Sequence, residues 1–432
     1  MSTMAALAGD DSSALRRRDW LTIALIGLVH ASSHFFQLVI PSLYVALGSA
    51  FNLDFAALGL LVSAFFVVSG VGQASSGFLV DRIGARPVLW FGLACFVVAG
   101  LLIASANGYA MLMAAALIAG LGNSIFHPAD YAIINLNISR PRLGHAFSVH
   151  GVSGNLGWAA GPVFIAAITH WAGWRMAALA AAGVVALVLL ASVLGRRLLQ
   201  VDVARQAGAE QAGTQAQPGE RQGAVSPAGG ALARVATLLA IPALWGAFLF
   251  LAATTVANSA MQNYTIPLMG DLYYLTSMQA SSALSLFMVA AAAGMLAGGF
   301  LANLSPRTEW VVLGALAVAA LLLAMLAMRW VPVAWALPVL ALAGLCSGMA
   351  GPSRDLLIRR VTPKGAVGSV YGLVYSGMDV GSASGPLLFG VMLDHGFQQG
   401  PWLGAAVALL AAALLALWVG RQPAPQVSTA RS

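Results

Sequence analysis

Gly77-Phe78-Leu79-Val80-Asp81-Arg82-Ile83-Gly84-Ala85-Arg86 is a short charged turn, bounded by glycines, between two long apolar runs. Its opening returns 222 residues later as Gly299-Phe300-Leu301-Ala302-Asn303-Leu304, with Asn303 where the first copy has Asp81. A hydrophobic chain that repeats a feature half a length apart reads as two related halves, the construction common among membrane transporters.

Composition supports this. Of the 432 residues, 60% are hydrophobic and only 8% are charged, against roughly 25% charged in a soluble domain. Twelve apolar runs are long enough to cross a hydrocarbon core of about 30 Å. They lie at about 20–46, 55–80, 85–106, 109–136, 143–169, 173–198, 236–268, 276–302, 309–329, 333–361, 366–392 and 399–420. Backbone amides in lipid must bond within their own segment, so the runs are expected to be helices. Of the 21 Lys and Arg, all but Arg175, Arg329 and Arg354 fall on one side of this topology. That bias places both termini in the cytoplasm, and it makes the net charge of +7 a topology signal rather than a nucleic-acid footprint. Arg16-Arg17-Arg18 precedes a run too long for a cleaved signal, so that run reads as an uncleaved first span. Cys95 and Cys346 have no partner spacing and read as buried small hydrophobes.

The expected fold class is therefore all-α, with twelve transmembrane helices in two pseudo-symmetric six-helix bundles. Residues 1–19 form a cytoplasmic segment, 20–198 the first bundle, 199–231 a cytoplasmic linker rich in Gln, Gly and Ala, 232–420 the second bundle, and 421–432 a tail. The halves match at Ile40-Pro41 with Ile266-Pro267, Gly72 with Gly294, Pro128 with Pro352, and Gly161-Pro162 with Gly385-Pro386. Gly151, Gly154, Gly157 and Gly161 share one face of the fifth span, as do Gly377, Gly381 and Gly385 on the eleventh. Such faces let helices approach closely, either as ordinary packing or as gating surfaces.

Ionisable residues inside a membrane are costly and mark function. His30 and His34 are four apart on the first span and share a face. They can hold a metal, carry a proton or line a wet cavity with Gln37. No Cys, Met or carboxylate joins them at metal-ligand spacing, so no metal centre is expected. The fourth span carries His127-Pro128 and Asp130, and the tenth carries Pro352, Arg354 and Asp355. By the repeat, Asp130 corresponds to Arg354. The two are read either as a latching salt bridge or as a proton site and an anion site, the latter suiting the rigid fork of Arg. Asp379, whose counterpart is Asn155, lies near the middle of the eleventh span. A carboxylate at that depth suits a proton carrier or a hydrogen-bonded partner of a neighbouring helix. Asn258, Gln262 and Asn263 on the seventh span can meet solute or bond a neighbouring helix.

The stretch Gly77–Arg86 resembles the signature loop of the major facilitator superfamily, between its second and third helices. That resemblance implies a conformational role for Gly77, Asp81, Arg82, Gly84 and Arg86: the Asp accepts from the start of a neighbouring helix and stabilises the outward-facing state. Arg142 and His145 are expected near this network. Gly161-Pro162 is similar to part of the fifth-helix motif of proton-coupled antiporters. Gly122-Asn123-Ser124-Ile125-Phe126-His127-Pro128 and Ser33-His34-Phe35 with Pro41 resemble the fosmidomycin-resistance-type family, for which the implied activity is proton-driven export of a small phosphonate-like antibiotic. Ala129-Asp130-Tyr131-Ala132 departs from that family's Glu-containing, Arg-ending run.

The expectation is a multi-pass protein of the bacterial inner membrane, not an enzyme. It uses no cofactor, binds no nucleic acid, acts as a monomer, and couples protons to a small, anionic organic solute, with export preferred. The proton candidates are Asp379, Asp130, His34 and His127. The cavity candidates are His30, His34, Gln37, Asn155, Asn258, Gln262 and Arg354. Alternatives are an importer of a carboxylate-type metabolite, a copper-type metal importer using His30 and His34, and a non-transporting membrane sensor.

Overall fold

A computed structural model describes residues 2–200, 241–304, 307–360 and 367–422, and they are helical throughout apart from short turns. Residues 201–231 of the linker expected at 199–231 and most of the tail therefore lie outside the described residues, as do 236–240 of the seventh span. The chain is an all-α, multi-spanning membrane protein. Among the described residues, ten helical stretches are long and apolar enough to cross a membrane. The expected spans at 20–46 and 366–392 are helical but are not among the ten. The first is broken into pieces, and the second is diluted by Gly, Ser and Asp379.

The first span begins earlier than its apolar run and is interrupted near its far end. It runs as α1 (Ser2–Gln37), α2 (Val39–Ser42) and α3 (Tyr44–Phe51). Pro41, which lacks an N–H, lies inside the interruption. The remaining first-half helices are α4 (Phe55–Ile83), α5 (Ala85–Ala104), α6 (Tyr109–Asn123), α7 (Phe126–Asn137), α8 (Leu143–Ala172) and α9 (Trp174–Leu194). The expected single helix over 109–136 is thus two, parted at Ser124 and Ile125. Pro128 is the physical cause: a proline interior to a helix leaves the carbonyl four residues earlier without its donor. That carbonyl belongs to Ser124, and it accepts from Ser76 Oγ of α4 at 2.7 Å.

The second half contains α10 (Pro242–Tyr273), α11 (Ser277–Leu304), α12 (Thr308–Ala327), α13 (Val333–Arg360), α14 (Val367–Asp394) and α15 (Gly400–Gly420). The described residues form two compact units: those of Met1–Val39 with Val68–Ala216, and those of Ile40–Val67 with Gln217–Ser432. Ile40–Val67 was assigned to the first bundle on sequence grounds, but it packs within the second unit. Within the first unit α1 packs on α8, and α5 on α6 and α9. Within the second, α10 packs on α14, and α12 on α13 and α15. The same pairings, first span with fifth and third with fourth and sixth, therefore recur half a chain later.

Close approach explains the glycine faces. A Cβ on Gly154 of α8 would lie 3.0 Å from His30 Nε2 and 3.1 Å from His34 Cε1. One on Gly157 would run into the Ala31 carbonyl. Large apolar side chains such as Leu187, Leu194, Val71, Phe300 and Leu414 stand exposed, as expected where the outer surface meets lipid rather than water.

Candidate functional site

The first unit holds a cluster of four histidines and one carboxylate from three helices. His30 and His34 come from α1, His127 and Asp130 from α7, and His150 from α8. Asp130 is fully buried, and its Oδ2 lies 3.2 Å from both His30 Nδ1 and His150 Nε2. An ionised carboxylate only accepts, so both rings present an N–H to it. The His30 and His150 rings stack with centroids 3.5 Å apart. His34 lies 4.5 Å from His30 and 4.2 Å from Trp158, centroid to centroid. The His127 ring is 5.2 Å from that of His30 and 6.0 Å from that of His150. Three buried polar atoms in the cluster have no hydrogen-bond partner: His34 Nδ1, His127 Nδ1 and Asp130 Oδ1.

A second polar chain begins at Trp158, whose Nε1 donates to Gln37 Oε1 at 2.9 Å. Gln37 Nε2 donates to Asn123 Oδ1 at 2.8 Å, and Asn123 Nδ2 to Ser69 Oγ at 2.7 Å. Both ends of the Gln37 amide are thereby engaged in holding α1, α4, α6 and α8 together.

The other sequence candidates make none of these contacts among the described residues. Asn155 is half-buried and donates back to the Gly151 carbonyl of its own helix at 3.0 Å. In the second unit Asn258 is exposed and Gln262 half-buried on α10. Asn263 is buried and bonds Ser259 and Tyr44, so it serves packing. Arg354 is a quarter exposed and pairs with its neighbour Asp355, Nε to Oδ1 at 2.8 Å. Asp379 is half-buried near the middle of α14, and no hydrogen bond or ion pair engages it among the described residues. A cleft of about 350 Å³ in the second unit is lined by Tyr44, Leu53, Phe55, Pro267 and Asp271, among others, and by none of these candidates.

The signature turn ends α4. Asp81 and Arg82 are exposed there, and Gly84 takes φ +89°, a backbone region that suits glycine. Arg86 lies over the Trp90 ring at 5.3 Å. Arg142 and His145 were expected beside Asp81, and the structure corrects this. Arg142 Nε bonds buried Asp19 Oδ2 at 2.8 Å, with Ser139 Oγ also donating to that oxygen at 2.5 Å. The ring of His145 stands edge-on to Trp20. Both residues tie the α7–α8 connection to the start of the first apolar run.

His150 escaped the sequence reading, although the signal was present. It stands one turn before Gly154, on the face that continues through Gly157 and Gly161. The expectation of no metal ligand set rested on spacing along α1 alone, and the structure adds donors from α7 and α8.

The Major Facilitator Superfamily model matches residues 23–259 and 248–432. The chain belongs to the major facilitator superfamily. It is 27% identical over 388 residues to the fosmidomycin resistance protein of Escherichia coli (strain K12), with 89% of each chain covered. It is 26% identical to the probable nitrate/nitrite transporter NarK2 of Mycobacterium tuberculosis, covering 85% of this chain and 88% of the relative. Among solved structures, a bacterial homologue of the human lysosomal transporter Spinster, inward-facing and unoccupied, superimposes with a TM-score of 0.68 at 14% identity. That match covers 93% of this chain and 95% of the other. This major facilitator is thus a multi-pass membrane protein, a secondary transporter rather than an enzyme.

Proposed function

We propose that this chain is a proton-coupled transporter of a small, anionic organic solute, working by alternating access and favouring export. In this reading twelve spans form two six-helix bundles, residues 20–198 and 232–420, with both termini in the cytoplasm, and the protein acts as a monomer. The observation that carries the coupling is Asp379. A carboxylate midway along an apolar helix, engaged by no hydrogen bond or ion pair among the described residues, is costly to keep charged. Alternate protonation and release is the use that justifies such a cost. Asp130, His34 and His127, the other proton candidates, sit in the histidine cluster taken up below, where Asp130 is held by two rings.

Anion preference draws on Arg354, whose guanidinium is permanently charged and partly exposed. It also draws on the names of two relatives, a probable nitrate/nitrite transporter and a fosmidomycin resistance protein. The residues proposed to meet solute are His34, Gln37, Asn155, Asn258, Gln262 and Arg354; His30, already engaged by Asp130, is taken up below. Export follows from the resistance relative. The turn at Gly77, Asp81, Arg82, Gly84 and Arg86 is proposed as a conformational latch.

The test uses proteoliposomes with an imposed pH gradient and fosmidomycin as the probe solute. Wild-type protein should move the probe against its own gradient. Asp379→Asn should lose that uphill movement while keeping exchange of labelled for unlabelled probe. Uphill transport by well-inserted Asp379→Asn would remove Asp379 as the proton site. Wild-type protein indifferent to the pH gradient would remove proton coupling altogether.

A further inference from the structure

We infer that the histidine cluster of the first unit is a binding site for a divalent transition-metal ion of the Zn²⁺ type, with His30, His127 and His150 as ligands and Asp130 orienting two of the rings. The nitrogen donors of the three histidines lie within 4.8 Å of one another. Asp130 Oδ2 is 3.2 Å from a nitrogen of His30 and from one of His150. A carboxylate bonded to a metal-ligating imidazole fixes the ring's orientation and raises its basicity. Tetrahedral zinc with ligand distances of about 2.0–2.1 Å spaces its ligand atoms about 3.3 Å apart, so modest side-chain adjustment brings the three nitrogens to one ion.

The unpartnered nitrogen of His127 points the same way. His127 Nδ1 is buried without a hydrogen bond. A buried polar atom left alone costs about 1–3 kcal/mol. A metal offers it a partner after a side-chain rotation that closes at most about 1.5 Å toward the tetrahedral edge. Imidazole nitrogens are the donor set that suits Zn²⁺, Ni²⁺ and Cu²⁺ rather than Mg²⁺ or Ca²⁺. The way in is at His127, which is only partly buried. It lies beside exposed Tyr131, and open space surrounds the position of Gly151 next to His150.

All three ligands and Asp130 belong to one unit, and the ion would join α1, α7 and α8. Its role is a clamp on that unit rather than cargo. This inference goes beyond the proton reading and does not depend on it, because the proton site proposed above is Asp379.

The experiment titrates Co²⁺ into tag-free, chelator-treated protein in detergent and reads the visible ligand-field bands of four-coordinate cobalt. Zn²⁺ is then added to displace it. The expected result is one Co²⁺ per chain, displaced by Zn²⁺, with affinity reduced roughly ten-fold or more in His127→Asn and in His150→Asn. His395→Asn, in the turn just after α14, should bind as wild type. Zn²⁺ should also raise the unfolding temperature of wild-type protein and of His395→Asn, but not of His127→Asn. Absence of the bands in folded wild-type protein would overturn the inference whatever the variants do. Bands that persist unchanged in both cluster variants would place the ion elsewhere and overturn it equally. Because binding is read without transport, its failure is distinct from a failure of the pH-gradient experiment.

Discussion

Asp130 and Asp379 are the same residue type, each within an apolar helix, and the structure treats them in opposite ways. Asp130 is fully buried and fixed by ring nitrogens from two other helices. Asp379 is half-buried and has no bonded partner among the described residues. A buried charge with good partners holds its neighbours in one arrangement, whereas a charge without them has a standing reason to take up a proton. The number of partners, rather than depth in the membrane, separates a fixed centre from one able to change state.

The contrast is easiest to break at Asp130. Asp130→Ala removes the acceptor of two buried rings, at about 1–3 kcal/mol each. Thermal unfolding in detergent should fall steeply, and an unchanged midpoint would mean that the cluster is not fixed. Arg354 extends the contrast to a charge with one local partner, Asp355. If it meets the solute anion, Arg354→Ala loses a charge-assisted bond of about 1.5–3 kcal/mol in binding. Arg354→Lys should fall between that variant and wild type, because it keeps charge without the fork. Equal probe affinity in all three would leave Arg354 as a partner of Asp355 only.

Smaller still is the stability effect at Asp379. Asp379→Asn should stay within about 0.5 kcal/mol of wild type, since no bond is lost, and a larger drop would reveal a partner. The least change in stability is expected for Asp81→Ala, because its side chain is exposed. There the readout is labelling of single cysteines from either side of the membrane, which should shift toward inward access if the turn is a latch.

The helices were legible because lipid permits little else, and nearly all begin and end within a few residues of their apolar runs. The turn at Gly84 was legible from its glycines. His30, His34, His127 and Asp130 were each visible as polar residues in apolar surroundings. Their convergence was not, because three helices meeting at one point leave no spacing in the chain. His150 was missed for that reason, and Asp19 because it stands at the edge of its run, where a charge attracts no notice. The break at Ser124 needed the consequence of Pro128 to be followed four residues back, to a carbonyl whose new donor comes from another helix.

Asp394, at the end of α14, accepts from the backbone amides of Phe55 and Ala56 at 2.9 and 2.7 Å. Those donors belong to the main chain and persist whichever non-proline side chains stand at 55 and 56. On the α14 side the attachment needs Asp394 and also Gly390, where a Cβ would run into the Phe55 carbonyl. A saturation scan should find both intolerant, while these two hydrogen bonds set no demand on the side chains at 55 and 56. A comparison of diverging sequences that looks for paired changes would pass over the hydrogen bonds, because one side of them has nothing to covary.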